Sequence, residues 1–235
     1  PWSGDRQRAH LKGFARLRAI LWRRSLRLYQ GWKLAGEPWY PPLMRALGQS
    51  TGHLDLFAQA RVKRPADVFG ETPVLTTFSL LQLARQQLGE WPEQFVDLGC
   101  GRGISCLTAA SLGLPATGYE QEPGWVAAAQ MVADRLQLAA RFEAGDFLGA
   151  LWPARALYFV VGTAYPVEMR EEIALRLSSL GHPQDNLAVI TGDWALPGDA
   201  FERLWSGRLP VDWGTAEFTL WKRQTGEHEG NGENI

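Results

Sequence analysis

Phe95-Val96-Asp97-Leu98-Gly99-Cys100-Gly101-Arg102-Gly103 is the stretch on which the fold turns. Phe95, Val96 and Leu98 read as a short buried strand. It runs into three glycines at alternate positions and then into an apolar helical run from Ile104 to Leu112. Glycine lets the backbone turn sharply and approach a ligand with no Cβ in the way. The following helix offers free N–H groups and the positive end of its dipole. Strand, glycine turn and helix in that order form the nucleotide-binding corner of a doubly wound α/β sheet.

The details select the ligand. A dinucleotide fingerprint is G-x-G-x-x-G, but here Ile104 occupies the last place and the pattern is G-x-G-x-G. Asp97, two residues before the first glycine, would repel a pyrophosphate and attract a cationic group such as a sulfonium or an amino group. The next strand, Ala116 to Glu120, ends in an acid placed to accept hydrogen bonds from two ribose hydroxyls.

Phe95–Gly103, Gly118-Tyr119-Glu120-Gln121-Glu122-Pro123 and Gly145-Asp146-Phe147 together resemble the successive cofactor motifs of class I, seven-strand, S-adenosylmethionine-dependent methyltransferases. The resemblance runs from about Asp67 to Lys222. It implies Asp97, Gly99 and Gly101 around the methionine part of S-adenosyl-L-methionine, Glu120 on the ribose, and Asp146 with Phe147 beside the adenine. Cys100, Gly103 and Gln121 are implied as further cofactor contacts. Taken alone, the glycines would serve only a tight turn and the acids only helix caps; three motifs in order at suitable spacing favour the cofactor.

Upstream, Phe69-Gly70-Glu71-Thr72 resembles the tyrosine-glycine-glutamate-threonine run of the telomeric-silencing histone methyltransferases, non-SET protein-lysine methyltransferases. The resemblance implies Glu71 and Thr72 above the cofactor. The plainer reading is a loop in which Thr72 caps a helix with Pro73 at its first position. The stretch from the first strand to Lys222 is also similar to the short lysine methyltransferases of the ATP-synthase c-subunit group.

Methyl transfer from a sulfonium is an in-line displacement, so the protein must align the reactants and exclude water. No metal is needed, and no metal-ligand spacing occurs. The acceptor surface is expected in Val161-Gly162-Thr163-Ala164-Tyr165-Pro166, after the fourth strand, with Thr163 and Tyr165 as candidate catalytic residues. This segment lacks the D/N-P-P-Y/F run of adenine and glutamine methylases and the Pro-Cys nucleophile of cytosine-C5 enzymes. Val161 and Gly162 stand where the silencing enzymes have paired asparagines, while Tyr165 keeps the aromatic. Tyr165 read alone is equally a residue of the core edge. The expected activity is methylation of a protein lysine, whose neutral amine an apolar channel would favour. The alternatives are a small-molecule methyltransferase and a non-enzymatic protein that binds S-adenosylmethionine.

Residues 1–36 hold nine Lys or Arg and one Asp, whereas the remaining residues hold fifteen bases and twenty-four acids. The N-terminal part reads as one long helix to about residue 34. Phe14, Leu17, Leu21, Leu28 and Trp32 fall on one side, and Arg16, Arg23, Arg24 and Arg27 largely elsewhere. We expect the apolar stripe to pack on the domain, with the arginines outward and free to make a weak contact with a membrane or nucleic acid. Cys100 and Cys106 suggest no secreted disulfide framework, and no apolar run reaches membrane-spanning length. The expected compartment is the cytoplasm, with a peripheral membrane position as the alternative.

The expected architecture is α/β: a doubly wound, mostly parallel, seven-stranded Rossmann-like sheet with an N-terminal helical extension. Residues 1–66 would form the basic helix and a linker, 67–224 the methyltransferase domain, and 225–235 a disordered tail. Gly36 to Gly52 reads as linker and Leu54 to Val62 as a short helix. Asp199 to Trp205 reads as a short helix, with Val211 to Trp213 and Glu217 to Trp221 as the final strands.

Overall fold

The computed structural model describes residues 4–58, 71–182, 185, 187–197 and 199–224, and their side chains from residue 18 onward apart from 50–58 and 164. The expected tail and the Phe69-Gly70 half of the upstream motif lie outside the described residues.

Five short strands run parallel: β1 (Gln94–Leu98), β2 (Ala116–Glu120), β3 (Ala140–Ala144), β4 (Ala156–Val161) and β5 (Ala188–Gly192). Two long strands, β6 (Phe201–Val211) and β7 (Gly214–Arg223), complete the sheet antiparallel. The order is β3-β2-β1-β4-β5-β7-β6, so the seven-stranded, mostly parallel sheet of the expectation is present. The helices are α1 (Gly4–Lys33), α2 (Tyr40–Ala58), α3 (Val74–Leu88), α4 (Ile104–Ser111), α5 (Pro123–Leu136) and α6 (Val167–Ser179).

The central strands are apolar at consecutive positions because both faces of the sheet are covered. In β1 and β4, Phe95, Leu157 and Phe159 point into a core shared with α3, α4 and α5. Their neighbours Val96, Leu98, Tyr158 and Val160 point into a second core with Ile173 and Leu177 of α6. The chain winds leftward from β1 through β2 to β3, whereas β4 lies on the other side of β1. The crevice at the C-terminal ends of β1 and β4 is therefore the topological switch point, where ligands bind in open α/β sheets.

Three local expectations need correction. The expected linker at Gly36–Gly52 is largely helix, since α2 begins at Tyr40. Pro41 and Pro42 fall in its first turn, where a missing N–H costs no intrahelical bond. Residues 199–205 do not form a helix; Phe201 starts β6, which pairs with β7 across a two-residue turn at Asp212-Trp213. Edge position explains how Pro210 sits in that strand. Thr72 does not cap α3: Pro73 takes the N-cap position and no side chain bonds there.

The fourth correction concerns α1. It docks, but on the face opposite the expected stripe. Leu26, Gln30 and Leu34 are buried. The Trp22 indole donates to Val211 O at 2.7 Å, and Arg23 Nε donates to Asp212 O at 3.3 Å. Gln30 accepts from Leu75 N–H at 3.0 Å and donates to Tyr40 Oη at 3.2 Å. Leu21, Leu28 and Trp32 are 54%, 70% and 70% exposed. Polar anchors and one leucine column thus decide the docked face; the side chains of Phe14 and Leu17 lie outside those described.

Candidate functional site

The turn after β1 has Gly99, Gly101 and Gly103 at φ +83°, +54° and +74°. Gly103 occupies the N-cap position of α4 in the left-handed region. A Cβ there would lie 2.5 Å from the Phe142 ring and 2.8 Å from Ala129 Cβ. The glycine therefore answers both a dihedral and a packing demand. Gly99 N–H and Cys100 N–H both donate to Tyr119 O at 2.9 Å, which ties the turn to β2.

Two carboxylates flank this turn. Asp97, the penultimate residue of β1, is 4% exposed and accepts a hydrogen bond from Ser105 Oγ in the first turn of α4. Burial pushes its carboxyl up to about 7; the Ser105 hydrogen bond opposes this and nearby Glu120 adds to it. Glu120 ends β2 and is also buried. One oxygen accepts Gly101 N–H at 2.9 Å and the other accepts Glu122 N–H at 3.0 Å. Each carboxylate oxygen keeps a second lone-pair site for a further donor.

Asp97, Gly99, Cys100 and Gly101 line a cavity of about 60 Å³ together with Glu71, Thr72, Ser105, Phe159 and Val161. This cavity is the switch-point crevice. Arg102 reaches from the glycine turn to form a two-pronged ion pair with Glu71. Both cysteines are buried free thiols, and burial pushes both well above the usual thiol range.

The remaining expected residues spread around this crevice. Gln121 is exposed just past β2. Asp146 is exposed, and its Oδ1 accepts Leu148 N–H at 2.9 Å, capping a short 3₁₀ turn at Phe147–Gly149. Phe147 is buried, with ring centroids 6.4 Å from Trp152 and 5.7 Å from Tyr165. Tyr165 turns inward onto the glycine corner: its hydroxyl donates to Leu98 O at 2.7 Å and lies where a Cβ on Gly99 would be. Thr163 is exposed at the rim, with Oγ1 donating to Asp193 Oδ2 at 3.4 Å.

Arg102, Ser105 and Phe159 also belong to this site and were not singled out from the sequence. Arg102 stands inside the glycine motif, so a cation in the turn was visible. Its partner across the cleft was not. Ser105 lies eight residues beyond Asp97, and only the tightness of the turn brings them together.

A sheet of order 3-2-1-4-5-7-6 with a crevice at its switch point is a Rossmann-like arrangement. Solved methyltransferase structures share this Rossmann-like fold. The magnesium protoporphyrin IX methyltransferase from Synechocystis PCC 6803, with bound S-adenosylmethionine, matches at TM-score 0.51 and 19% identity, over 64% of this chain and 79% of that one. The Escherichia coli protein YhhF matches at TM-score 0.54 and 16% identity, over 70% of this chain and 91% of that one. TrmN from Thermus thermophilus matches at TM-score 0.50 and 18% identity, over 64% of this chain and 48% of that one. At these identities the likeness is one of fold. No protein-family model and no curated protein sequence matches the chain.

Proposed function

We propose that the chain is a methyltransferase that uses S-adenosyl-L-methionine. The observation that carries this reading is the pair of buried carboxylates, Asp97 and Glu120, on either side of the glycine turn at the switch point. Their chemistry fits the cofactor. An ionised Asp97 attracts the cationic methionine end. Glu120, already oriented by two backbone N–H groups, has lone pairs left for a vicinal diol. Asp146 and Phe147, at the end of β3, supply a polar and an apolar edge for the adenine. Gly99, Gly101 and Gly103 keep the turn free of Cβ atoms, with buried Cys100 within it, and exposed Gln121, next to Glu120, would be a further contact.

When bound, the cofactor supplies an electrophilic methyl on a sulfonium. The chain's residues bind it, orient it and keep water away. The cavity of about 60 Å³ is small beside the roughly 300–1,000 Å³ of ligand pockets. Glu71 and Thr72, which line it, would form its upper wall.

The acceptor we favour is a protein lysine. Glu71 and Thr72 keep the second half of the resemblance to the silencing-type enzymes, and apolar Phe159 and Val161 border the cavity where a neutral amine would enter. Thr163 and Tyr165, after β4, are the acceptor contacts in this reading. A small-molecule acceptor is the second reading; the Glu71–Arg102 pair, which ties the segment before α3 to the glycine turn beside the cavity, would favour it. Incubation of a cell lysate with the pure protein and methyl-labelled S-adenosylmethionine separates them. Label in protein lysine supports the first reading, label only in the low-molecular-weight fraction supports the second, and no transfer to any fraction rejects both.

A further inference from the structure

We propose that α1 seats the protein on an anionic lipid surface through the face it turns away from the domain. Leu21, Leu28 and Trp32 recur at intervals of seven and four residues, one line along a helix, and are 54%, 70% and 70% exposed. Ile20 and Tyr29, 54% and 49% exposed, widen this line. Lys33 lies 4.8 Å over the Trp32 ring, and Arg18, Arg24 and Arg27 are exposed around it. An apolar stripe with aromatic rings, bordered by long basic side chains, is the pattern of a helix lying in the membrane interface. The aliphatic stems lie along the apolar zone while the charged heads reach the phosphates.

The charge distribution selects this occupant. Residues 1–36 carry nine Lys or Arg against one Asp. Pairing the stripe with a second copy would bring two such helices together with like charges opposed. A nucleic-acid duplex would satisfy the arginines but leave Leu21, Leu28 and Trp32 without an apolar partner. An anionic bilayer satisfies both groups at once. The opposite face of α1 is committed to the domain through Trp22, Leu26 and Gln30, with Leu34 just past its end, so membrane binding does not require undocking.

Position adds a consequence. α1 grips the β6–β7 turn at Val211 and Asp212. Since Gly192 pairs with Phe218, that turn lies at the C-terminal end of β5, the end that also carries the crevice. Asp212 N–H donates to Glu71 O at 3.2 Å, and Glu71 holds Arg102 in the glycine turn. The seated helix would thus hold the crevice end of the sheet near the lipid surface. The seating itself is independent of the methyltransferase reading.

The test is flotation of the full chain with vesicles of phosphatidylcholine alone or with about one-third phosphatidylserine, at low and high salt. We expect binding at least about tenfold stronger to the anionic vesicles, weakened by salt. The double variant Leu28→Ser, Trp32→Ser should lose most of that binding with an unchanged melting temperature. Because Cys100 and Cys106 are buried, a polarity-sensitive thiol dye on Leu28→Cys reports that site, and it should move to an apolar environment only when anionic vesicles are added. Equal binding to both vesicle types, no binding at low salt, or wild-type binding by the double variant would overturn the proposal. So would a dye that is already shielded before vesicles are added, which would mean that the chain or a second copy covers the face, or tighter binding to duplex DNA than to vesicles at the same salt.

Discussion

The glycine corner between β1 and α4 and the long helix α1 are both rich in local pattern, yet one pattern points to its partners and the other does not. At the corner, each unusual residue answers a demand from its nearest neighbours. Gly103 must adopt φ +74° against Phe142 and Ala129, and Glu120 must collect Gly101 N–H. In α1 the most regular apolar stripe faces outward, and the domain is held by a mixed line of Trp22, Leu26 and Gln30, continued by Leu34 just beyond the helix. Amphipathicity identifies a face that can be buried. Which face is buried, and by what, depends on the shape and unpaired groups of a distant surface.

Substitution at the corner should give the largest effect and sharpen the contrast most. Gly103→Ala forces an L-residue into the left-handed region, about 1–2 kcal/mol, and overpacks a closed contact, about 1–3 kcal/mol. Denaturant unfolding should show a loss of about 2–5 kcal/mol. A loss below ~1 kcal/mol would mean that the turn is not the rigid element described here.

Paired substitutions in α1 and the turn that ends it come next. Leu34→Ala removes a side chain 1% exposed in the core, and should cost about 2–4 kcal/mol. Leu28→Ala removes one that is 70% exposed, and should stay within about 0.5 kcal/mol. Equal losses, or the reverse order, would break the assignment of faces and restore the pattern expected from the sequence.

These two regions also mark what was legible. The parallel strands, their order of use and the glycine turn could be read because apolar runs, glycine spacing and terminal acids are local signals. Tyr40-Pro41-Pro42 misled because proline halts a helix in its interior but suits its first turn. Phe201–Val211 misled because an edge strand packed on one side lacks strict alternation, and its register shifts between Arg203 and Trp205. At the site, Asp97, Glu120 and the glycines are candidates from sequence; Asp97, Gly99 and Gly101 line the crevice, and Glu120 is tied to it through Gly101 N–H. The Glu71–Arg102 pair and the inward turn of Tyr165 onto Leu98 O were hidden because they join segments 31 and 67 residues apart.

A smaller effect concerns pH. Burial lifts the Asp97 carboxyl to about 7, so the folded chain keeps a proton that the unfolded chain releases near pH 4. The stability contributed by this group is therefore full below about pH 4, declines as pH rises toward 7, and is level above it. Affinity for a cationic ligand runs the other way, since it needs the ionised form. Titrations with S-adenosylmethionine at about pH 6 and about pH 8 should show binding up to roughly tenfold tighter at the higher pH. Asp97→Asn should flatten that dependence, and a wild-type profile in that variant would remove Asp97 from the binding event.

The claim at the centre is that the two buried acids hold S-adenosylmethionine, and calorimetric titration of the wild-type chain and Glu120→Ala tests it most directly. The wild type should bind S-adenosylmethionine and its demethylated product one to one, in preference to NAD. Glu120→Ala removes two hydrogen bonds to a charged acceptor and should weaken binding by about 3 kcal/mol or more, roughly a hundredfold. No saturable binding by the wild type, a preference for NAD, or wild-type affinity in a folded Glu120→Ala variant would contradict the account.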